Sequence, residues 1–206
     1  MSRALRQSIV VLDVEGVLTP EVWMAVAAHT GIEFLARTTR DEPDYDVLMK
    51  GRLKALAEHG VGMEQIMDVV GALAPLEGAV DFLDELRART QVLLLSDTFE
   101  QFARPLMAYF GHPTILCHRL VIEGGVVADY ALRLPDQKRS TVEAFQRLNF
   151  SVVAAGDSYN DITMLSQADV AKLVRAPHNP RVEVPRFPAH DTYEDLLAGL
   201  TAALAT

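Results

Sequence analysis

Ile9-Val10-Val11-Leu12-Asp13-Val14-Glu15-Gly16-Val17-Leu18-Thr19-Pro20 joins a short apolar run to an acidic turn. Ile9 to Leu12 is continuous and rich in β-branched residues, which predicts a strand buried on both faces. It stops at Asp13, and Glu15 follows two residues later. Gly16 lets the backbone turn sharply because it carries no Cβ. Thr19 and Pro20 read as a helix start, with Thr19 as N-cap and Pro20 in the first turn. In an open α/β sheet, ligands collect beyond the carboxyl ends of the strands, so Asp13 and Glu15 are expected at that edge. A single acidic strand end is also what ordinary caps and turns look like. Its meaning depends on what else converges there.

The 206 residues suffice for a sizeable core, and half of them are hydrophobic, which argues against disorder. With 28 acidic and 19 basic residues the net charge is −9. No basic run of the nucleic-acid-binding kind occurs, so nucleic acid is not an expected partner. Cys117 is the only cysteine, which excludes an internal disulfide and fits a reducing compartment. Its neighbours Thr114-Ile115-Leu116 suggest burial rather than nucleophilic work. The apolar run before Asp13 is too short for a signal peptide or a membrane span. A cytoplasmic protein without membrane contact is expected.

Glu21 to Thr30 reads as a helix closed by Gly31. From there to Pro75 the periodicity is helical throughout. Tyr45, Leu48, Met49, Leu53 and Leu56 lie on one helix face, and Arg52 shares it. Arg52 either snorkels at the edge of the stripe or points into a pocket, where a buried charge needs an anion. Pro75 to Gly78 returns the chain to an α/β rhythm, with a helix over Val80 to Arg87. Val92 to Leu95 is a second buried strand ending at Ser96-Asp97-Thr98, followed by a helix closing at Gly111. Ile115 to Cys117 is a short strand, and Leu120 to Val127 a hairpin turning at Gly124-Gly125. Asp136 is read as the cap of a helix whose apolar face carries Val142, Phe145 and Leu148. Lys138 then falls in the first turn, where the helix dipole disfavours a cation. It points either into water or at an anion. Val152 to Ala155 is a strand leading into Gly156-Asp157-Ser158-Tyr159-Asn160-Asp161, and Val170 to Val174 a last strand. Pro177 to Pro188 reads as a proline-rich surface segment and Tyr193 to Leu204 as a closing helix.

Three buried runs thus end in polar groups: Asp13 with Glu15, Ser96, and Asp157 with Asn160 and Asp161. Parallel neighbouring strands would put all three at one edge. Clustered carboxylates repel unless they share a proton or a cation, and oxygen ligands suit magnesium. Ser96 and Lys138 add a hydroxyl and a positive charge suited to a phosphoryl group.

Asp13-Val14-Glu15-Gly16-Val17, Ser96, Lys138 and Gly156-Asp157-Ser158-Tyr159-Asn160-Asp161 resemble, in order, the four motifs of the haloacid-dehalogenase-like hydrolases. The helical stretch between the first two resembles the cap of the phosphoserine phosphatase branch. Thr19 to Trp23, Asp44 to Lys50 and Ser96 to Phe99 are similar to a bacterial subgroup that is both phosphoserine phosphatase and homoserine phosphotransferase. The resemblance implies a Rossmann-like, doubly wound parallel sheet, with residues 1–19 and 76–206 as core and 20–75 as helical cap. It implies Asp13 as nucleophile, and Asp13, the Glu15 carbonyl and Asp157 around Mg2+. Glu15 would be acid and base, and Ser96, Lys138 and Asn160 would meet the phosphoryl oxygens. Asp161 would orient Lys138 or metal-bound waters. Glu21 would meet the substrate ammonium and Arg52 its carboxylate. The implied partners are phosphoserine and, as acceptor, homoserine; a homodimer stays open.

Two positions depart from the resemblance. The superfamily phosphatases usually carry aspartate where Glu15 stands, and phosphoserine phosphatases usually carry glycine where Asp97 stands. Glutamate can do the same proton transfer with one more methylene of reach. Asp97 puts an extra carboxylate beside the substrate subsite. Other readings are a phosphatase of another small ester, which would not need Glu21 and Arg52, and a phosphoaspartate receiver or inactive binding protein. A receiver would not need the helical insertion, and no Gly-rich turn supports a dinucleotide enzyme.

Overall fold

The computed structural model describes residues 6–39, 41–42, 44–176, 181 and 184–204. After β1 (Gln7–Leu12) come the helices α1 (Val22–Thr30), α2 (Tyr45–Glu58) and α3 (Met63–Gly71). Then follow α4 (Ala79–Arg87), β2 (Gln91–Phe99), α5 (Glu100–Met107), β3 (Ile115–Glu123) and β4 (Val126–Ala131). The remainder is α6 (Gln137–Arg147), β5 (Phe150–Gly156), α7 (Ile162–Gln167), β6 (Val170–Val174), β7 (Ala189–His190) and α8 (Tyr193–Leu204).

Among the described residues the strands form one sheet in the order β4-β3-β2-β1-β5-β6-β7, parallel except for the β3–β4 hairpin. β1 lies between β2 and β5, so the chain leaves it in opposite directions on its two sides. That makes the end of β1 the topological switch point of the sheet. Leu12 stands level with Leu94 and Ala155. The next residues of all three strands therefore reach the same edge together.

Side-chain alternation explains why the sheet is covered on both faces. Val10, Leu12, Leu94, Val153 and Ala155 belong to one apolar cluster, while Ile9, Val11, Leu93, Leu95, Val152 and Ala154 belong to the other. Each fully buried Leu or Val contributes about 1.5–3 kcal/mol by leaving water. No helix among the described residues is long and apolar enough to cross a membrane.

Several local expectations need correction. Thr19 does not cap α1: it is buried, bridges to Glu15, and the helix begins at Val22. β2 runs on through Ser96-Asp97-Thr98 to Phe99, with its pairing to β3 irregular between Leu95 and Phe99. The short strand and the hairpin arm are one strand, β3. Asp136 adopts φ 43° and makes no side-chain cap; its carboxylate accepts from Thr163 Oγ1 instead. Leu148 is 69% exposed and stands past the end of α6, outside its buried face. β7 is a further strand after the one expected to be last. Within the proline-rich segment, residues 177–180 and 182–183 lie outside the described residues.

Candidate active site

Asp13 leaves β1 with its N–H bonded to the Ala155 carbonyl of β5 at 3.0 Å, which fixes the carboxylate at the switch point. Gly16 then turns at φ 79°, and a Cβ there would stand 2.4 Å from Asp157 Oδ2. Only glycine allows the first loop to close on Asp157. The Glu15 carboxylate accepts the Val22 N–H at 3.0 Å. An acidic group beside a helix N-terminus is favourable, and here it does the capping expected of Thr19. Behind Asp157, Asp161 Oδ2 accepts the Asp157 and Ser158 N–H groups at 2.9 and 3.1 Å. Gly156 makes room for it, since a Cβ would fall 2.3 Å from Asp161 Cγ.

The position of Lys138 in the first turn of α6 is explained by what it faces. Its ammonium bonds Asp161 Oδ1 at 2.7 Å and lies 3.1 Å from Asp13 Oδ1 and 3.7 Å from Asp97 Oδ2. The Asp13 contact is an ion pair whose alignment falls short of a hydrogen bond. Burial opposes the charge on Lys138, but Asp13, Asp161 and Asp97 outweigh it and hold the ammonium form. Asp13 is itself pushed well above the carboxylate range, first by burial and then by Asp161, against the pull of Lys138. Burial also lifts Asp157 to about 7, with Asp161 and Glu21 adding to it. Glu15 rises to about 7 through burial and the charge of Glu21, against hydrogen bonds from Thr98 and Val22.

A cavity of about 320 Å³ opens over these groups. Asp13, Glu15, Glu21, Arg52, Ser96, Asp97, Asp157 and Asn160 all reach its wall. Lys138 lies on an adjoining cavity of about 380 Å³, and the two share Tyr45, Asp97 and Asn160. Arg52 is buried on the inner face of α2, with its guanidinium 4.9 Å from the Trp23 ring. It donates to the Arg37 carbonyl at 2.5 Å, while its Nε has no hydrogen-bond partner. Burial lowers its pKa to about 10, and Tyr45, Glu15 and Glu21 work in the opposite direction, so the charge persists at neutral pH. Of the two readings of Arg52, the structure supports the cation aimed into a pocket.

Residues 8–169 match the family model described as haloacid dehalogenase-like hydrolase. The chain belongs to this family. It is 56% identical over 186 residues to "Phosphoserine phosphatase ThrH" of Pseudomonas aeruginosa, covering 90% of this chain and 91% of that protein. It is 55% identical to a phosphoserine phosphatase of Pseudomonas syringae pv. tomato, covering 90% of this chain and 78% of that one. Among solved structures, a phosphoserine phosphatase from T. onnurineus superposes with a TM-score of 0.73 at 22% identity, covering 98% of each chain. That last likeness speaks for the haloacid dehalogenase-like fold.

The acidic centre of this hydrolase fits a divalent cation. Asp13, Asp157 and Asp161 present oxygens within 4.8 Å of one another, and Asp157 Oδ1 is buried without a hydrogen-bond partner. Both Asp161 oxygens are already taken by Lys138, Asp157 and Ser158, which leaves Asp13 and Asp157 as the side chains with free capacity. The Glu15 carbonyl takes no part in the four backbone bonds that tie its loop, Gly16 N to Thr19 O and Val17, Leu18 and Thr19 N to Val14 O.

Several wall residues carry no site role in the sequence reading. Trp23 is the platform under Arg52, and Tyr45 donates to the Asp97 carbonyl at 3.3 Å, joining α2 to the core. His118 and Gln137 are buried against Asp97. Gln137 is adjacent to Lys138, which is a usable hint. His118 sits within a strand pattern, and nothing local marks it.

Proposed function

We propose that this hydrolase is a magnesium-dependent phosphoserine phosphatase acting through an aspartyl phosphate, and that it also passes the phosphoryl group to homoserine. The observation that carries the reading is one cavity whose wall holds both the buried Asp13 carboxylate and a charged, partly unpartnered Arg52. A phosphate monoester that also bears a carboxylate has a partner for each of its anionic groups there. The curated relatives named as phosphoserine phosphatases support the same choice.

In this reading an Asp13 oxygen attacks phosphorus and the bond to the serine oxygen breaks. Glu15 gives its proton to the departing alkoxide and later takes one from the attacking water or alcohol. Ser96, Lys138 and Asn160 meet the phosphoryl oxygens, Arg52 the carboxylate and Glu21 the ammonium. Asp13, Asp157 and the Glu15 carbonyl would hold Mg2+, which would neutralise charge developing on the phosphoryl oxygens. Residues 20–75 act as the cap that excludes water. Serine and homoserine differ by one methylene, worth only about 1–3 kcal/mol of discrimination in an apolar pocket. Homoserine can therefore follow serine into the same subsite.

Phosphorus NMR of phosphoserine, Mg2+ and enzyme, with and without homoserine, tests both parts. Inorganic phosphate should appear in the first mixture and phosphohomoserine in the second. Arg52→Lys keeps the charge but not the planar fork, so it should lose activity on phosphoserine and little on an ester without a carboxylate. Equal losses on the two esters would remove Arg52 from substrate recognition.

Metal dependence should also show in stability. Asp13, Glu15 and Asp157 all hold protons in the folded state that the unfolded chain gives up at about pH 4. Between about pH 4 and 7 the folded state then binds more protons, so its stability falls as pH rises. With chelator present, Tm should be lower at pH 8 than at pH 5. Mg2+ binds the ionised carboxylates, so it should raise Tm more at pH 8. A Mg2+-induced rise that is equal at both values would count against these carboxylates as the metal site.

A further inference from the structure

Asp97 reaches the cavity wall, yet its carboxylate is occupied from within the protein. Oδ1 accepts from Gln137 Nε2 at 3.0 Å and lies 3.4 Å from His118 Nε2. Oδ2 accepts from Asn160 Nδ2 at 3.0 Å and lies 3.7 Å from Lys138 Nζ. One oxygen faces two residues with no assigned part in the chemistry, and the other faces two that are read as phosphoryl ligands.

The rear contacts have a defined polarity. The Arg133 N–H donates to His118 Nδ1 at 3.1 Å, so Nδ1 is an acceptor and the ring hydrogen sits on Nε2, toward Asp97. Arg133 Nε donates to Gln137 Oε1 at 3.0 Å, which turns the amide so that its nitrogen faces the Ser96 carbonyl at 2.7 Å and Asp97 Oδ1. The 3.2 Å approach of the Gln137 and His118 nitrogens is then that of two donors converging on one carboxylate oxygen. Arg133 Nη2 is anchored on Thr141 Oγ1 of α6 at 2.6 Å. His118, Gln137 and Thr141 are buried while Arg133 is exposed, and a polar network with a satisfied buried centre rigidifies what it holds.

We infer that Asp97 is a positioning residue: fixed from behind by His118 and Gln137, it sets Lys138 and Asn160 against Asp13. The inference rests on Asp13 as nucleophile and on Lys138 and Asn160 as phosphoryl ligands. Because the phosphoryl group is common to all esters, the effect is independent of the rest of the substrate.

Asp97→Asn turns an amide nitrogen or a neutral oxygen toward Lys138 and Asn160. It should lower kcat per folded molecule about 10²-fold, the usual consequence of displacing a reacting group by about 1 Å, with KM little changed. The loss should be the same on phosphoserine and on phenyl phosphate. Gln137→Met leaves the charge but removes a rear donor, and should give a smaller loss of the same kind. A loss confined to phosphoserine would make Asp97 a substrate contact. A lowered Tm with undiminished kcat would make it a structural prop. Nitrogen-15 NMR of the neutral His118 ring should show its hydrogen on Nε2, and hydrogen on Nδ1 would overturn the arrangement. If the wild type cleaves phenyl phosphate but not phosphoserine, the substrate reading falls while the Asp97 comparison proceeds on the phenyl ester.

Discussion

Asp13→Asn should reduce magnesium-dependent turnover of phosphoserine by about 10³–10⁶-fold, as happens when one member of a group acting as a unit is lost. The amide keeps the shape of the side chain but has neither the charge nor the nucleophilicity to open a phosphate ester. The same change should leave the fold intact. Asp13 is 3% exposed and is pushed toward protonation by its own burial and by Asp161 and Asp157, so a neutral group is tolerated there. In chelator the variant should be at least as stable as the wild type, because one carboxylate of the crowded cluster is gone while Lys138 retains Asp161. Single-turnover kinetics and thermal unfolding measure the two halves. Near-normal turnover would show that phosphoryl transfer does not pass through Asp13. A large loss of stability would mean that the missing activity reflects unfolding.

The groups that sequence reading brought together are those whose position follows from one rule, that buried parallel strands end at a common edge. Leu12, Leu94 and Ala155 stand level in the sheet, so the acidic or hydroxyl residues just beyond them had to meet. Arg52 was legible because a charge on an apolar stripe demands an anion or a surface, and the stripe itself was unambiguous. Thr19 was misread because the N–H it was expected to cap is taken by Glu15, a partner set by how the loop folds over Gly16. Asp136 looked like a cap for the same local reason, but its carboxylate is claimed by Thr163 of α7. Leu148 continued the apolar spacing of α6, yet the helix ends before it can bury. His118 lay beyond local reasoning altogether, and Gln137 offered only its adjacency to Lys138. Their role comes from contacts between β3, the end of β2 and the start of α6, which are far apart in the chain. Asp97 was visible as an unusual carboxylate, and only its contacts show that it is held from behind.

Glu15→Gln should separate the two halves of the reaction. Glu15 lies on the cavity wall, half-buried, with one oxygen accepting the Val22 N–H. Its pKa of about 7 leaves both protonation states populated at neutral pH, which suits the proposed role of acid first and base afterwards. It is protonated below about 7 and ionised above, so the acid step should weaken as pH rises through that value. Glutamine keeps the hydrogen bond to Val22 and removes the proton transfer. Serine is a poor leaving group and needs a proton as the bond to phosphorus breaks. Turnover of phosphoserine should therefore drop about 10²–10⁴-fold, the usual range for general acid–base catalysis. Nitrophenolate leaves without a proton, so 4-nitrophenyl phosphate should still phosphorylate Asp13 in the variant. Water then attacks with no base to help it, and the aspartyl phosphate should accumulate. The expected result is a burst of nitrophenol equal to the enzyme present, followed by a slow steady rate. Phosphoserine should give no burst, because its first step is slowed as well. Equal slowing of both esters with no burst on either would assign Glu15 to holding the loop over α1, and the proton would have to come from elsewhere.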